Sequence, residues 1–365
     1  MTSGSDNSVD CVVAGGGLIG LLSALYLARE GLTVAVLERG ELCRESSWAG
    51  GGILSPLIPW DYPDAVANLV ARSQRDYPGL VDELQRETGI DPEWIRSGLL
   101  LLDTALSEAI SAWAGRHAVE VQALDTRAVQ AADPALAAAS GPALLLPAVA
   151  QVRNPRLCAA LRVRLEQLGV QLHEHSAVQR LLVRQGRMEG VETAQGRVTA
   201  ERVVIAGGAW SAELMHGTGP VLPVTPVRGQ MIQFETRPGL LRHIVLSGGY
   251  YLIPRRDGLV LVGSTLEYTG FDKAITPEAR ELLTAQAVRI APVLAECPVI
   301  RHWAGLRPGT HDGVPFICEH NEISGLYLNT GHFRNGVVMG PASARLLADR
   351  MLAHAGFTDF APYAC

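Results

Sequence analysis

Residues 9–38 read VDCVVAGGGLIGLLSALYLAREGLTVAVLE. The segment begins with a short apolar run at 9–14 and ends with a β-branched run at 32–38, and both runs predict buried strands. Between them, residues 18–29 predict a helix that ends near Gly31. A strand, a glycine turn, a helix and a second strand form a βαβ unit of about thirty residues. The segment therefore predicts an α/β fold.

The glycines of this turn follow the spacing G-x-G-x-x-G at Gly15, Gly17 and Gly20. Gly15 permits a tight turn, Gly17 lets a pyrophosphate approach the helix N-terminus, and Gly20 lets the helix pack on the strand. Glu38 ends the second strand, where its carboxylate can accept both hydroxyls of an adenosine ribose. In this βαβ context the motif predicts an adenine dinucleotide, and it fits NAD and FAD equally well.

Two further segments favour FAD over NAD. Residues 44–54 read RESSWAGGGIL, whose small residues and backbone N–H groups suit close approach to a planar isoalloxazine ring. Residues 203–211 read VVIAGGAWS, which predicts a strand that runs into a Gly-Gly turn. An NAD dehydrogenase has no evident use for both segments.

Composition and charge exclude several classes of protein. The chain has 365 residues and is 48% hydrophobic, which suits two domains or one large domain with a substantial core. Its net charge is −6 and it has no basic block, which argues against a nucleic-acid binder. Lys273 is the only lysine, and it lies in a polar, loop-like stretch, which argues against a pyridoxal-phosphate enzyme.

The six cysteines are scattered, with no C-x-x-C pair and no zinc-ligand spacing. They predict reduced packing thiols in a cytoplasmic protein. The first ten residues carry two acids and no base, unlike a secretory signal. Residues 11–28 are uncharged, but their four glycines argue against a membrane-spanning helix, so no transmembrane segment is expected.

The rest of the chain predicts two interleaved lobes. One is a Rossmann-like FAD-binding lobe, and the other is a substrate lobe built on a mainly antiparallel sheet, so the fold class is α/β (α+β overall). Helices are predicted at 64–88, 105–116, 154–168, 277–296 and 341–354, and antiparallel strands within 222–265. The expected boundaries are a flexible N-terminus at 1–8, a FAD-binding domain at 9–60, 145–220 and 300–365, and a substrate-binding domain at 61–144 and 221–299.

Taken together, these motifs resemble the FAD-dependent D-amino-acid oxidase superfamily, and within it the glycine oxidase (ThiO) type. The resemblance covers about residues 9–355. Its most specific motifs are WAGLRPGT at 303–310 and GHFRNG at 331–336, beside the YLIPR strand at 251–255. It implies a noncovalent FAD whose flavin lies between the lobes. Leu266, Gly249 and Gly52 stand at pocket positions that vary, which leaves the range of amine substrates open.

The resemblance also implies a set of catalytic residues. Arg307 is the candidate clamp for the substrate carboxylate, because a guanidinium binds a carboxylate bidentately. Tyr251 would donate its hydroxyl to the same carboxylate, and Arg334 would add positive field near the flavin. The residues expected to bind the cofactor are Gly15, Gly17, Leu18, Ile19, Gly20, Glu38, Arg39, Ser46, Ser47, Trp48, Ala49, Gly51, Gly52, Val178, Ala206, Gly207, Trp210, Gly305, Arg307, His332, Phe333, Arg334, Asn335 and Gly336.

Histidines are not assigned a chemical role. A neutral amine can deliver hydride without a base, so His332 is expected to pack or to contact the flavin rather than to act as a general base. His173 and His175 alternate along a predicted strand without a third ligand at metal-binding spacing. No metal site is expected.

The implied function is FAD-dependent oxidative deamination of glycine and similar small amino acids. Hydride would pass to flavin N5, O2 would be reduced to H2O2, and the imine would supply thiazole synthesis for thiamine. Two alternatives stay open: a sarcosine or D-amino-acid oxidase or dehydrogenase of the same superfamily, and a non-catalytic flavoprotein subunit. The expected partners are a small amino acid, O2, thiazole-synthesis enzymes and further copies of the chain in a homo-oligomer, with no nucleic acid.

Overall fold

The computed structural model describes residues 7–137, 141–219, 221–354 and 359–365. The strands within these residues are β1 (Asn7–Ser8), β2 (Cys11–Ala14), β3 (Val34–Leu37), β4 (Leu99–Leu101), β5 (Gln122–Leu124), β6 (Ala143–Leu146), β7 (Gln171–His173), β8 (Val178–Arg184), β9 (Arg187–Thr193), β10 (Gly196–Thr199), β11 (Arg202–Ile205), β12 (Thr225–Glu235), β13 (Ile244–Ser247), β14 (Tyr250–Pro254), β15 (Leu259–Gly263), β16 (Val299–Gly309), β17 (Phe316–Glu319) and β18 (Leu326–Thr330).

The helices are α1 (Leu18–Arg29), α2 (Ser46–Ala49), α3 (Asp64–Thr88), α4 (Glu108–His117), α5 (Thr126–Ala132), α6 (Asn154–Gln167), α7 (Ser211–Leu214), α8 (Pro277–Ile290) and α9 (Gly336–Met351). Short 3-10 turns lie at Pro59–Asp61, Gly208–Trp210, Pro292–Glu296 and Ala361–Tyr363. None of the helices that the structure describes is long and apolar enough to cross a membrane.

The predicted βαβ unit, confirmed as β2, α1 and β3, lies at the centre of a six-stranded sheet. The strand order is β17-β18-β11-β2-β3-β7, and every neighbouring pair is parallel except β17 with β18. Strands β2 and β3 are buried along their whole length, because the sheet is covered on both faces. Such burial explains their continuous apolar sequence.

Two layers cover this sheet. Helices α1, α3, α6 and α9 pack together on one face around one apolar core, which includes Leu21, Tyr77 and Leu161. The other face packs against a four-stranded sheet of order β1-β10-β9-β8 through a second core that includes Val12 and Val191. The two layers thus enclose the central sheet, and the glycine turn follows the end of strand β2.

The second large sheet has eight strands in the order β16-β12-β15-β14-β13-β4-β6-β5. The predicted antiparallel pairing within 222–265 is confirmed, since β12 pairs with β15, β15 with β14, and β14 with β13. Helix α8 packs on this sheet, with Leu283 and Ile290 buried against it. The structure is therefore the mixed α/β architecture that the sequence predicts.

Several details differ from the sequence predictions. The last helix begins at Gly336 rather than at 341, and Pro341 lies inside it. The backbone N–H of Ala342, the residue after this proline, donates to the Ser73 hydroxyl at 2.9 Å. The helix predicted at 277–296 ends at Ile290 and continues as a 3-10 turn. Tertiary contacts near Pro341, including the Tyr77 hydroxyl on the carbonyl oxygen of Val337, thus support a helix that continues through this proline.

The two ends of the chain also differ from expectation. Residues 7 and 8, assigned to a flexible N-terminus, form β1 and pair with β10, whereas 1–6 lie outside the described residues. Cys318 and Cys365 form a disulfide, so the prediction that all six cysteines are reduced is wrong for these two. The pair is 47 residues apart in sequence, which spacing alone does not reveal.

Two elements cross the lobe boundaries assigned from the sequence. Strand β16 begins before residue 300 and pairs with β12 in the eight-stranded sheet. Helix α3, assigned to the substrate lobe, packs against α6 and α9 on the dinucleotide side. Helix α3 therefore belongs to the dinucleotide side, and strand β16 belongs to the eight-stranded sheet while it also contacts α2.

Candidate active site

A cavity of about 1050 Å³ runs from the glycine turn to the eight-stranded sheet. The predicted site residues that line it are Gly15, Gly17, Leu18, Ile19, Glu38, Arg39, Ser46, Ser47, Ala49, Gly51, Gly52, Val178, Ala206, Gly207, Trp210, Tyr251, Gly305, Arg307, His332, Phe333, Arg334, Asn335 and Gly336. Gly20 and Trp48 do not line it. Such a volume is large enough for a dinucleotide and a small substrate.

The glycines of the turn are needed for close backbone packing. Gly15 has a φ of +119°, and a Cβ there would collide with the carbonyl oxygen of Ala206. Gly20 packs inside the βαβ unit and does not line the cavity. A Cβ there would collide with the carbonyl oxygen of Gly15, so this close packing requires glycine. Gly17 faces the cavity at the N-terminus of α1. Backbone N–H groups there suit a pyrophosphate.

Glu38 has a structural role that the sequence did not predict. Its carboxylate accepts the N–H of Gly16 at 2.8 Å and the N–H of Gly40 at 2.9 Å. A carboxylate offers about four lone-pair directions, so two remain for ribose hydroxyls. Glu38 therefore ties two backbone turns together and still faces the cavity.

The loop that contains α2 is held by side chains from distant parts of the chain. Asn154 donates from Nδ2 to the carbonyl oxygens of Ser47 (2.9 Å) and Gly50 (3.1 Å). Trp303 donates from Nε1 to the carbonyl oxygen of Ala49 at 3.0 Å, and its ring contacts Trp48 edge-on. Trp48 thus supports the loop by packing against Trp303 and does not line the cavity.

Like Asn154, Arg255 is a supporting residue that the sequence did not predict. It is buried and donates to the carbonyl oxygens of Gly51 (2.8 Å) and Val152 (3.0 Å) and to Oε1 of Gln151 (2.7 Å). Burial lowers the pKa of Arg255 to about 10, with a smaller effect from nearby Arg153. The signal in the sequence was a charged residue directly after the apolar YLIP strand. Its hydrogen bonds fix the glycine loop against the substrate lobe.

Helix α9 begins at the wall of the cavity. Asn335 precedes the helix and lines the cavity, and its buried Nδ2 has no hydrogen-bond partner among the described residues. Asn329 also lines the cavity with a buried, unpartnered Oδ1, while its Nδ2 donates to Ser23. A flavin ring edge carries both donors and acceptors, so these orphaned atoms fit FAD.

His332 is buried beside α9 and cannot act as a base in the ordinary pH range. Its Nε2 and the Ser343 hydroxyl are hydrogen bonded at 3.0 Å. Burial lowers the pKa of His332 to about 3, so the ring is neutral at neutral pH. This packing agrees with the expectation that His332 packs rather than acts as a general base.

Arg307 lies at the substrate end of the cavity among neutral acceptors. Its Nη2 donates to the Ser264 hydroxyl at 2.8 Å and its Nη1 to the carbonyl oxygen of Thr265 at 3.3 Å. A Cβ on Gly229 would collide with the guanidinium, so this glycine makes room for it. Burial lowers the pKa of Arg307, and nearby Tyr251 opposes that shift. The group stays a cation because an arginine pKa remains high even when buried.

Two cations therefore meet at this end of the cavity. Among the ion pairs of the described residues, none involves Arg307 or Arg334. The buried Tyr251 hydroxyl lies 3.8 Å from the Met231 sulfur, a weak acceptor. Arg307 is partly buried and Arg334 is exposed, and a ligand anion can supply the counter-charge that Arg307 lacks. The geometry therefore suits a small carboxylate.

A loop from the substrate lobe, residues 264–276, crosses over the other end of the cavity. Lys273 Nζ pairs with both carboxylate oxygens of Glu45 at 3.0 Å. Phe271 stacks on Trp210 with 5.5 Å between ring centroids, and Arg39 lies 3.5 Å above the same indole. The loop thus links residues beside Arg307 to residues at the dinucleotide end.

The histidine pair shows no metal geometry. His173 contacts the Gln171 side chain at 3.4 Å, and His175 has a φ of +55° at the end of the strand. Within the described ranges, no group of three His, Cys, Asp or Glu side chains could hold a metal ion.

Comparison with known proteins places the chain in one family. The family described as FAD dependent oxidoreductase (DAO) matches residues 10–350. A glycine oxidase of Pseudomonas aeruginosa is 48% identical over 97% of each chain. A bifunctional protein ThiO/ThiG of Trichormus variabilis is 33% identical over 93% of this chain and 52% of its own length. The crystal structure of glycine oxidase from Geobacillus kaustophilus is 30% identical, with a TM-score of 0.91 and 98% coverage of both chains.

Proposed function

The chain belongs to the FAD dependent oxidoreductase family, and within it we propose that the protein is a glycine oxidase. It binds FAD and oxidises glycine and similar small amino acids to the imine. Water then releases glyoxylate and ammonia from that imine. The net reaction is glycine, O2 and water to glyoxylate, ammonia and H2O2.

The observation that carries this proposal is the partly buried guanidinium of Arg307, which has no carboxylate partner among the described residues. Glycine offers only an amine, a carboxylate and one carbon, so the carboxylate supplies most of its binding energy. Arg307 can form two parallel hydrogen bonds with that carboxylate, which fixes position and rotation together. The Ser264 and Thr265 oxygens hold the guanidinium from behind.

Other residues of the chain complete the site. Tyr251 is buried beside Arg307 and donates its hydroxyl to the same carboxylate in place of the weak Met231 contact. Arg334 and the N-terminus of α9 place positive charge at the flavin end, where negative charge develops during the reaction. When bound, FAD accepts the hydride from Cα at N5 and returns two electrons to O2 as H2O2.

No protein base is required to remove a proton from Cα. His332 is neutral and buried, and its Nε2 is hydrogen bonded with the Ser343 hydroxyl. The substrate amine reacts in its neutral form, and the cationic site favours loss of its proton. The chain therefore contributes position and electrostatics, and the flavin contributes the redox chemistry.

Anaerobic reduction of the bound flavin tests the function directly. Glycine should bleach the yellow colour of the bound flavin, and readmitted O2 should restore it with one H2O2 and one glyoxylate per turnover. Sarcosine and D-alanine, tested in parallel, rank the related substrates. Bleaching by none of the three would favour a non-catalytic flavoprotein. Bleaching without reoxidation by O2 would favour a dehydrogenase.

We further propose that the imine product serves thiazole synthesis and that the enzyme acts in the cytoplasm. One relative is named a bifunctional protein ThiO/ThiG, so in that protein an equivalent of this chain is fused to a second enzyme. Four of the six cysteines are free thiols, as in a reducing compartment, and the Cys318–Cys365 disulfide is the feature that opposes this location. Cell fractionation and a thiamine-auxotrophy assay of a deletion strain test the two proposals.

We propose a homo-oligomer on the basis of exposed apolar side chains on the 264–276 loop. Tyr268 is 74% exposed and Ile275 is 51% exposed, which is unusual for large apolar groups so close in sequence. Multi-angle light scattering of the purified flavoprotein measures the assembly state. A monomer at micromolar concentration would contradict the proposal.

A further inference from the structure

The tip of the 264–276 loop contacts two parts of the cofactor side at once. Phe271 stacks on Trp210, with 5.5 Å between the ring centroids and 26° between the ring planes. Two residues further on, Lys273 Nζ lies 3.0 Å from both carboxylate oxygens of Glu45. Trp210 and Glu45 line the main cavity, whereas Phe271 and Lys273 are not among its lining residues. The loop therefore holds the cavity wall from outside.

Arg39 closes these contacts into a ring of side chains. Its guanidinium carbon lies 3.5 Å from the centroid of the Trp210 ring. Its Nη2 donates to Glu45 at 3.1 Å, so Arg39 joins the two wall residues that the loop contacts. The five side chains, which we call the strap, are Arg39, Glu45, Trp210, Phe271 and Lys273.

The strap connects the two segments that border the glycine turn. One segment leads from the glutamate of the strap into α2, where the Ser47 hydroxyl accepts the N–H of Leu18, the first residue of α1, at 2.8 Å. The other segment contains the tryptophan of the strap and Ala206, whose carbonyl oxygen would collide with a Cβ on Gly15. A pyrophosphate binds at such a turn. The strap therefore crosses the cavity beside the position expected for the FAD pyrophosphate.

The loop that carries the tip of the strap is anchored to strand β12 of the substrate side. Arg228 is buried, and its Nη1 pairs with Asp272, which lies between the two loop residues of the strap. The same nitrogen donates to the carbonyl oxygen of Ala274 at 3.0 Å. Thr276 donates its backbone N–H to Oε1 of Gln230 at 2.9 Å. The tip thus reaches the cofactor side from a fixed base.

The contacts of the strap lie near the surface, so they can break without unfolding the protein. The side chains of Lys273 and Glu45 are 45% and 31% exposed, and Phe271 is 42% exposed. Exposed ion pairs and single ring contacts are individually weak. They can therefore open and close while the buried anchor at Arg228 stays in place.

We propose that Phe271 and Lys273 retain FAD in its site by holding Trp210 and Glu45 across the cavity beside the pyrophosphate. FAD then leaves only after the strap opens, as with other loops that close over a ligand. Phe271 and Lys273 act through the wall residues, so they are positioning residues for the cofactor. The inference requires that the chain binds FAD, and it does not depend on which amine is oxidised.

Removing the strap contacts should speed the release of FAD from the holoenzyme. Timed spin desalting of diluted holoenzyme separates released from bound FAD and gives the dissociation rate. Phe271→Ala and Lys273→Met should each raise this rate about threefold, and the double variant should raise it at least about tenfold. Phe271→Tyr keeps a ring and Lys273→Arg keeps a cation, so both should stay within about twofold of the wild type.

Arg44→Met is the matched control for the loss of an exposed ion pair. Arg44 directly precedes Glu45 in the chain and pairs with Glu41 at 2.7 Å, and both partners belong to the cofactor side. This variant should release FAD at the wild-type rate. An unchanged rate in the double strap variant, or equal acceleration in Arg44→Met and Lys273→Met, would overturn the proposal.

A covalent strap should give the opposite result without any substitution. A water-soluble carbodiimide activates the Glu45 carboxylate, and the Lys273 amine then attacks it to form an amide. The pair loses one water in total, which converts the carbodiimide to a urea. Peptide mapping by mass spectrometry identifies the linked product. The crosslinked holoenzyme should release FAD at least about tenfold more slowly than the untreated holoenzyme.

Lys273→Arg is the control for this reaction, because a guanidinium keeps the ion pair and forms no amide under the same conditions. Treated Lys273→Arg should release FAD at its untreated rate. Equal release from crosslinked and uncrosslinked wild type would overturn the strap. Slower release after crosslinking, together with no glycine-dependent H2O2 from the wild type, would refute the proposed function and leave the strap intact.

Discussion

At the scale of single residues, the candidate site depends on which charged side chains have no oppositely charged partner in the protein. Arg228 is buried with Glu267 and Asp272 as ion-pair partners, whereas Arg307 is hydrogen bonded to neutral oxygens, those of Ser264 and Thr265 among them. The first arrangement completes an ion-pair network within the protein, and the second leaves a cation for a ligand. The two arginines belong to neighbouring strands, so similar sequence positions serve different purposes.

Replacing Arg307 gives the most direct test of the carboxylate clamp. Arg307→Ala should lower kcat/KM for glycine by at least about two orders of magnitude, since each lost charged hydrogen bond is worth about 1.5–3 kcal/mol. Arg307→Lys should restore only part of the activity, because an ammonium cannot form the paired contact. FAD content and circular dichroism should stay unchanged. Near-normal turnover by Arg307→Ala would eliminate the clamp.

His332 should control part of the acid sensitivity of the fold. Its pKa of about 3 in the folded protein lies below the unfolded value of about 6.5, so the unfolded chain binds more protons between these pH values. The free energy of unfolding therefore falls as the pH drops through this window. His332→Asn should remove about 2 kcal/mol of the change between pH 7 and pH 5.

Urea unfolding of the holoprotein at pH 7, 6 and 5 measures this dependence. His311→Asn, at an exposed histidine, serves as the control and should follow the wild type. If His332→Asn lost stability in parallel with the wild type, the buried ring would have no part in acid unfolding.

All of the residues predicted for the site except Gly20 and Trp48 line the cavity, because the glycine motif and the two arginine motifs are local in sequence. Gly16, Asn154 and Arg255 were missed because their partners lie far away in the chain. Asn154, for example, holds Gly50 from a distance of 104 residues in sequence. Only the packed structure shows such support.

At the scale of elements, the glycine turn and the strand that ends at Glu38 act as one unit. Glu38→Ala should weaken FAD retention by roughly 1–3 kcal/mol and also lower the Tm of the protein, because two backbone N–H groups lose their acceptor. Glu41→Ala, in the same loop but in an exposed pair with Arg44, should change neither property. Fluorescence titration of FAD and thermal unfolding measure both effects. An unchanged Tm would restrict Glu38 to cofactor binding.

The glycine loop at 50–54 depends on one arginine from the opposite lobe. Arg255→Met removes three hydrogen bonds and should lower the free energy of unfolding by about 1–3 kcal/mol and speed FAD release. Arg256→Met changes the neighbouring exposed arginine, which pairs with Asp91, and should cost less than about 1 kcal/mol. Urea unfolding and FAD dissociation rates compare the two variants. Equal effects would show that the loop does not need Arg255.

The elements that the sequence predicted well are those with strong local periodicity. Helix α3 follows its predicted bounds of 64–88 despite Pro78 inside it. Strand β16 lies in a glycine-rich stretch that was not predicted as a strand, because its pairing with β12 supplies what local propensity lacks. Long-range pairing, rather than composition, defines the strand that carries Arg307.

At the scale of the whole molecule, we propose that a cofactor lobe at 9–60, 145–220 and 300–365 works with a substrate lobe at 61–144 and 221–299. Helix α3, inside the proposed substrate range, packs with α6 and α9 of the cofactor lobe, and strand β16 pairs with β12 and contacts α2, so β16 links the two lobes. The main cavity draws its walls from both. A shared junction favours a site of fixed geometry.

The cofactor should be released intact when the fold is destroyed. Among the residues that line the main cavity there is no cysteine, and Cys318 is tied to Cys365. Precipitation with trichloroacetic acid should therefore leave the yellow colour in the supernatant, where its spectrum and mass identify FAD. Colour that stays in the washed pellet would indicate a covalent flavin. A chain with covalent flavin, run as control, should keep its colour in the pellet.

The contact between Lys273 and Glu45 makes the molecule unusually easy to tag at one useful place. Because the sequence has a single lysine, an amine-directed fluorophore or crosslinker meets one side-chain target, and that target bridges the two lobes. The ion pair slows the reaction while the 264–276 loop rests on the dinucleotide end, since a paired ammonium must first separate from its carboxylate. The labelling rate of Lys273 therefore reports how often its ion pair with Glu45 is broken.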